Sequence, residues 1–202
     1  MREFIYYSST APTTGSHIQQ DLMKAGRLDI AIHTIISAFF LSHSIRENVV
    51  LHLVFDGPSD PTKHLELQPV LEGKTGVDKI YINKSNVSQI IKKMLYKYKP
   101  NAKNEVFPGY WIEKKALNVL IKEIVESGRK IYVLDEDGED IRTLDLENNP
   151  VFLLGDHKGM PSFKKELKRF KEKLIPVSIG PKTYFASQTV AIVNNELDRR
   201  NI

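Results

Sequence analysis

Three stretches in the last third of the chain decide the fold: PVFLLGDHKG at 150–159, LIPVSIGP at 174–181 and ASQTVAIVNNELD at 186–198. Each reads as a strand-like apolar run that closes in a turn signal. A short apolar run that stops at a glycine marks a buried strand feeding a loop. In an open parallel sheet such loops lie at the carboxyl ends of the strands, where ligands bind. Helix-like stretches follow two of the runs. The loops are therefore expected side by side, as a pocket built mainly from backbone.

Outward from these runs, the rest of the chain alternates in the same way. EFIYY at 3–7 and VVLHLVF at 49–55 read as strands, separated by the turn-rich APTTGSH and by a helix. That helix is marked by Leu28, Ile32, Ile35, Ile36, Phe39 and Phe40, spaced for one buried face. DGPSDP at 56–61 is a turn, and short strands are expected over 64–82 around Gly73 and Gly76. A helix is expected from Asn86 to Tyr98, opened by Ser85. FPG at 107–109 breaks the chain, and a further helix is expected over 112–127, ended by Gly128. RKIYVLDEDGE at 129–139 reads as strand and turn, and 162–173 as a lysine-rich helix. Helices alternating with apolar strands predict α/β architecture, a mostly parallel sheet flanked by helices. No repeat or linker divides the chain, so one domain over 1–202 is expected.

Composition narrows the function. The 202 residues suffice for one sizeable core. The absence of cysteine excludes disulfides, thiolate metal ligands and a cysteine nucleophile. The six histidines form no H-E-x-x-H pattern, so no metal is expected. MREFIYYSS has no apolar segment of signal-peptide length, and Ile30–Leu41 is too short and too interrupted to span a membrane. A soluble, cytoplasmic protein is expected. A net charge of +4 favours anionic partners such as RNA.

GRLD at 26–29, AFFLSHSIRENV at 38–49, PVFLLGDH at 150–157, SIGP at 178–181 and the closing ASQ…NNELD together resemble the archaeal tRNA pseudouridine N1-methyltransferases, of the SPOUT or α/β-knot class. The resemblance runs from MREF almost to the C-terminus and is weakest over about 60–110. It implies a sheet whose C-terminal part is threaded into a trefoil knot, a rare exception to the usual rules of chain connection. It also implies S-adenosyl-L-methionine as cofactor, a homodimer, and N1-methylation of pseudouridine in the tRNA T-loop. The same chemistry on rRNA or another RNA is an alternative, as is a catalytically silent RNA-binding module.

Carried over residue by residue, the resemblance places the cofactor against Leu134, Gly155, Ser178, Ile179, Gly180, Pro181, Lys182, Thr183 and Thr189. Glycines at 155 and 180 would let backbone approach an adenine or ribose. Leu134 and Ile179 would supply apolar contact. The chain departs from the family at His33, where an arginine is implied, and at Asn194–Asn195, where a histidine–asparagine pair is implied. YVLDEDGE and FASQ…NELD look closer to bacterial relatives.

Methylating pseudouridine N1 requires loss of its proton, so a carboxylate within reach would serve as general base. Asp29 is the first candidate, with Arg27 holding a phosphate or a base carbonyl. A carboxylate at a helix start also has a purely structural use. Asp56 and Asp60 are rival carboxylates that turn chemistry also explains, and Arg46 is a candidate phosphate contact. Asp156 and His157 suggest a dyad, but no matching nucleophile accompanies them. KKMLYKYK at 92–99 and KKELKRFKEK at 164–173 are candidate RNA tracts, or simply solvated helix faces.

Overall fold

A computed structural model describes residues 1–18, 20–59, 61–68, 70–71, 74–75, 84–160 and 168–202. EFIYY lies inside β1 (Arg2–Ser8), which pairs in parallel with β2 (Val49–Phe55) and, on its other side, with β9 (Val151–Gly155). A strand in that position is buried on both faces, which is why it reads as a continuous apolar run rather than an alternating one. Beyond β9 lie β8 (Ile131–Asp140) and then β10 (Leu174–Ser178), both parallel. Beyond β2 the sheet turns antiparallel through β3 (Lys63–Leu67), β7 (Tyr110–Lys114) and β6 (Asn104–Phe107). The full order is β10-β8-β9-β1-β2-β3-β7-β6, with β4 (Val70–Leu71) and β5 (Lys74–Thr75) paired separately. Threading of the expected knot depends on the β9–β10 connection, part of which lies outside the described residues.

Helices α1 (Leu28–Phe39), α2 (Lys84–Tyr96) and α4 (Ala186–Arg199) share one core with the sheet, while α3 (Leu117–Glu126) covers the opposite face. Phe4, Tyr6, Leu51 and Leu53 face the first group; Ile5, Val54 and Leu153 face Leu120, Ile121 and Ile124. This alternation along β1 and β2 follows directly from the two-residue period of a strand.

Several expectations need correction. ASQTVAIVNNELD is not strand-like; it is the body of α4. Its buried residues Thr189, Val190, Val193, Asn194 and Leu197 follow helical spacing. Gln188 Oε1 accepts from the Phe185 backbone at 3.1 Å, and that bond anchors the first turn. The expected helix over 112–127 is two elements. Tyr110 and Ile112 point into the core from β7 while Trp111 between them is half-exposed, and the helix begins only at Leu117. The lysine-rich helix is represented by a 3₁₀ turn at Lys168–Lys173, and 161–167 lie outside the described residues. Most of 69–83 lies outside them as well.

The first strand and last helix are clasped together. The Arg2 guanidinium is 3% exposed and donates to Asn194 Oδ1 at 3.0 Å and Asp198 Oδ1 at 2.8 Å. It also donates to the Ile202 carbonyl. Asn194 Nδ2 in turn donates to the carbonyls of Ser37 at 3.2 Å and Ala38 at 3.4 Å, fixing α4 against α1. Arg46 forms a two-pronged pair with Asp198 at 2.6 Å. Both Asn194 and Arg46 are thus committed to packing α4. No helix among the described residues is long and apolar enough to cross a membrane.

Candidate functional site

Parallel pairing puts the carboxyl ends of β1, β9, β8 and β10 on one edge of the sheet. A cavity of about 710 Å³ opens there. Leu134, Gly155, Ser178, Ile179, Gly180, Lys182, Thr183 and Thr189 line it. Pro181 belongs to the same loop but is exposed and outside the lining. Sequence reasoning missed Asp135 and Glu136, the turn from His157 to Met160, and Tyr184 and Phe185, which complete the wall.

Three local structures shape the cavity. The first is a bulge in β8. Pro176 pairs with Val133, yet the next residue, Val177, pairs with Glu139, so residues 134–138 leave the ladder together. The chain can return only because residue 138 is glycine. A Cβ there would lie 2.4 Å from the Val177 amide nitrogen. The bulge carries Leu134, Asp135 and Glu136 into the cavity wall, and Thr183 Oγ1 donates to Glu136 Oε2 at 2.7 Å across it. The second is the loop after β10, where the Ser178 hydroxyl donates to the Gly180 carbonyl at 3.1 Å. The third is the tight turn after β9, closed by Gly159 N donating to the Asp156 carbonyl at 2.9 Å. A Cβ on Gly155 would meet the Gly159 carbonyl carbon and oxygen at 2.6 Å.

The GRLD segment has a physical reason for each letter. Gly26 and Arg27 both take left-handed φ, near 60° and 58°. A Cβ on Gly26 would sit 1.9 Å from the Thr10 carbonyl oxygen, so only glycine fits. Leu28 is fully buried. Asp29 accepts two bonds from Arg27, at 3.1 Å from Nε and 3.2 Å from Nη2. That pairing raises the guanidinium pKa further. Arg27 and Asp29 stand beside the cavity rather than in its lining; Ile30, the next residue of α1, lines it.

Asp156 joins the two halves. Its side chain is fully buried and accepts from Ser8 Oγ at 2.7 Å, Ser9 N at 3.1 Å and Lys158 N at 2.8 Å. Thr10 Oγ1, 3.4 Å from the same carboxylate, donates to the Gly26 carbonyl at 2.9 Å. The turn after β9 is thereby tied to the loop that seats Gly26 and so to the Arg27–Asp29 pair. The arrangement is no nucleophilic relay. The serine bonds the aspartate rather than a histidine, and His157 Nδ1 lies 4.0 Å from the carboxylate. Below this network the Tyr6 hydroxyl is buried, close to Ser8. Burial, with Asp156 and Asp29 nearby, raises its pKa, so the phenol stays neutral.

Asp156→Asn is expected to cost about 2 kcal/mol of stability, since an amide N–H would face backbone donors that now meet a carboxylate. Any activity housed in the cavity should fall with it because Gly26 loses its anchor. Melting curves and initial rates check this, and a variant with both unchanged would remove Asp156 from the coupling.

The other candidates are placed elsewhere. Asp56 accepts from the Tyr7 hydroxyl at 3.0 Å and from Thr62 Oγ1, outside the cavity lining. Asp60 lies outside the described residues. His33 is exposed on α1. Lys92 donates to the Ile18 carbonyl at 3.2 Å, and the Tyr98 ring sits under Lys63 Nζ at 4.2 Å. Part of KKMLYKYK is therefore used in packing, while Lys93, Tyr96, Lys97 and Lys99 remain exposed.

The whole chain, residues 1–202, matches a family described as SAM-dependent RNA methyltransferase. It is 37% identical to the tRNA (pseudouridine(54)-N(1))-methyltransferase of Methanococcoides burtonii, covering 98% of this chain and 96% of that protein. The enzyme of the same name from Pyrococcus abyssi is 34% identical, with full coverage of both chains (100% and 100%). Among solved structures, Archaeoglobus fulgidus Nep1 bound to S-adenosylhomocysteine superposes with a TM-score of 0.62 at 11% identity, covering 99% of this chain and 98% of that one. That likeness assigns the fold to the α/β SPOUT class.

Proposed function

We propose that this chain, which belongs to the family of SAM-dependent RNA methyltransferases, methylates N1 of pseudouridine 54 in the T-loop of tRNA. Its full-length kinship to relatives named for that reaction carries the reading. S-adenosyl-L-methionine is the methyl donor of the family, and the cavity suits it. Gly155 and Gly180 leave backbone bare for close approach, and Leu134 and Ile179 are apolar. Asp135 and Glu136 place carboxylates where a cationic sulfonium is favoured over an anion.

When bound, S-adenosyl-L-methionine supplies an electrophilic methyl group on a sulfonium centre. The loops 155–160 and 178–183 hold and orient that group through backbone contacts, so that proximity supplies much of the acceleration. Asp29 receives the proton of pseudouridine N1 as general base. Arg27 fixes Asp29 through its two hydrogen bonds and offers its remaining donors to a phosphate or a base carbonyl. Asp156 and Thr10 keep the catalytic pair in register with the cofactor loops.

tRNA enters over the basic surface, where exposed Lys93, Lys97 and Lys99 contribute charge, so binding weakens with salt. We assign the protein to the cytoplasm and to a homodimer. In support of the dimer, Phe185 at the cavity rim is 75% exposed, an apolar surface that a second copy would cover.

The test uses tRNA transcripts carrying either pseudouridine or uridine at position 54, the position in the relatives' names. After incubation with S-adenosyl-L-methionine, nucleoside mass spectrometry should find N1-methylpseudouridine in the first and no product in the second. In uridine the corresponding ring nitrogen is glycosidic and has no proton to lose. Equal methylation of both transcripts would overturn the substrate assignment.

A further inference from the structure

A row of ionisable side chains crosses the sheet on the α3 side, away from the cavity. Glu3, His52, His64 and Glu113 stand on the adjacent strands β1, β2, β3 and β7. The two histidines are 6% and 1% exposed. His52 Nε2 lies 3.3 Å from Glu3 Oε2, and His64 Nδ1 lies 3.1 Å from Glu113 Oε1. Both glutamates are paired with cations, Glu3 with Arg129 at 2.5 Å and Glu113 with Lys115 at 2.9 Å. They are therefore carboxylates that only accept hydrogen bonds.

This fixes the inner side of the pair. Each imidazole gives its outer N–H to a glutamate, so each inner nitrogen presents a lone pair. Those inner nitrogens, His52 Nδ1 and His64 Nε2, face each other at 2.9 Å. The ring centroids are 5.1 Å apart with planes 25° from parallel, so the rings meet edge to edge rather than face to face. Two lone pairs at that distance repel unless a cation lies between them. A third ring proton would satisfy them, and so would a metal ion. A third ligand is already in place. Glu66 Oε2 is 3.9 Å from His52 Nδ1, and all three donor atoms lie within 4.8 Å of one another. Zinc–nitrogen and zinc–carboxylate bonds of about 2.0–2.2 Å are reached by shifts of a few tenths of an ångström. The outer glutamates supply the carboxylate–histidine pattern that orients imidazoles toward a metal.

We propose that His52, His64 and Glu66 bind one zinc-class divalent cation, with Glu3 and Glu113 orienting the two imidazoles from outside. The ion enters from the Glu66 side, where that side chain is 20% exposed and Lys103 Nζ, at 2.7 Å, is the group it displaces. Spacing patterns in the sequence miss this site because its ligands come from two neighbouring strands rather than from one helix. The site is separate from the methyltransfer cavity and does not depend on the function proposed above.

The test is titration of the metal-stripped full chain with zinc, and separately with cobalt(II), by calorimetry and visible absorption at two pH values. One ion per chain is expected, with a tetrahedral cobalt(II) spectrum. Affinity should be lower at the more acid pH, where protons compete for the same ligand atoms. Glu66→Gln should weaken binding at least about tenfold, and His64→Gln should abolish it. Should His64→Gln fail to fold, Glu66→Gln still decides, because it changes a partly exposed edge of the site. No saturable binding up to about 1 mM metal would overturn the proposal. Unchanged affinity in Glu66→Gln would also overturn it, placing the ion on exposed histidines elsewhere.

Discussion

Gly155→Val should weaken cofactor binding by up to about a hundredfold while leaving most of the sheet intact. The added Cβ would lie 2.6 Å from the carbonyl carbon and oxygen of Gly159, and backbone atoms cannot swing aside as a side chain can. The turn after β9 must open, and overpacking of this kind typically costs about 1–3 kcal/mol. If that cost falls on the bound state, the dissociation constant for S-adenosyl-L-methionine rises by up to about a hundredfold. Two neighbours calibrate the effect. A Cβ on Gly159 meets nothing within 4 Å, although its φ of 76° strains any other residue, so Gly159→Ala should be milder. A Cβ on Gly180 meets the Tyr184 hydroxyl at 3.1 Å, a flexible end that can yield, against a φ of 145°. Calorimetry on the three variants, with melting curves to confirm folding, should rank them with Gly155→Val worst. Wild-type affinity in that variant would remove the 155–160 turn from the cofactor site.

Asp29→Asn is expected to lower the turnover number by about a hundredfold to a thousandfold and to change cofactor affinity by no more than about threefold. An asparagine keeps the shape and can still accept from Arg27, but it cannot take a proton. Asp29 also lies outside the cavity lining, so the cofactor should scarcely register the change. The split between a large loss of turnover and a nearly unchanged cofactor affinity separates a base from a carboxylate that only shapes the site. A fully active asparagine variant would move the proton to another acceptor while leaving the substrate assignment untouched.

Much of the architecture was legible because β1, β2 and β9 are buried on both faces and so appear as unbroken apolar runs. The loops after β9 and β10 were legible through their glycines. α4 was misread because VAIV, taken alone, is as good a strand as a helix. Only the wider spacing from Thr189 to Leu197 distinguishes them, and polar Asn194 interrupts it because that side chain is needed to bind α1. The end of β7 was absorbed into a helix because only the helix-compatible run EKKA at 113–116 separates Ile112 from the apolar residues of α3. The bulge at 134–138 left no signal beyond Gly138, since its cause is a register jump against β10, a strand far away in sequence. Asp135 and Glu136 were missed as cavity residues for that reason. The role of Asp156 was hidden likewise, because its partners Ser8, Ser9 and Thr10 follow a different strand.

The clasp between Arg2 and α4 bears on how the molecule is made. β1 is near the middle of the sheet, yet one of its two neighbours is β9, and its arginine donates to Asn194, Asp198 and Ile202 in the last helix and beyond. On the ribosome β1 emerges before either of its partner strands. It can join β2 early, through the local β1-α1-β2 unit, but its other edge stays open until Val151–Gly155 follow. At ~5–20 residues per second that interval is on the order of 10 s. Throughout it, a largely apolar strand near the middle of the sheet has an unpaired edge, a template for wrong partners. Sequence separation of this size also slows folding, because the long loop must close before its contacts repay the cost. A segment buried on both faces in the finished protein is thus one left open for much of synthesis.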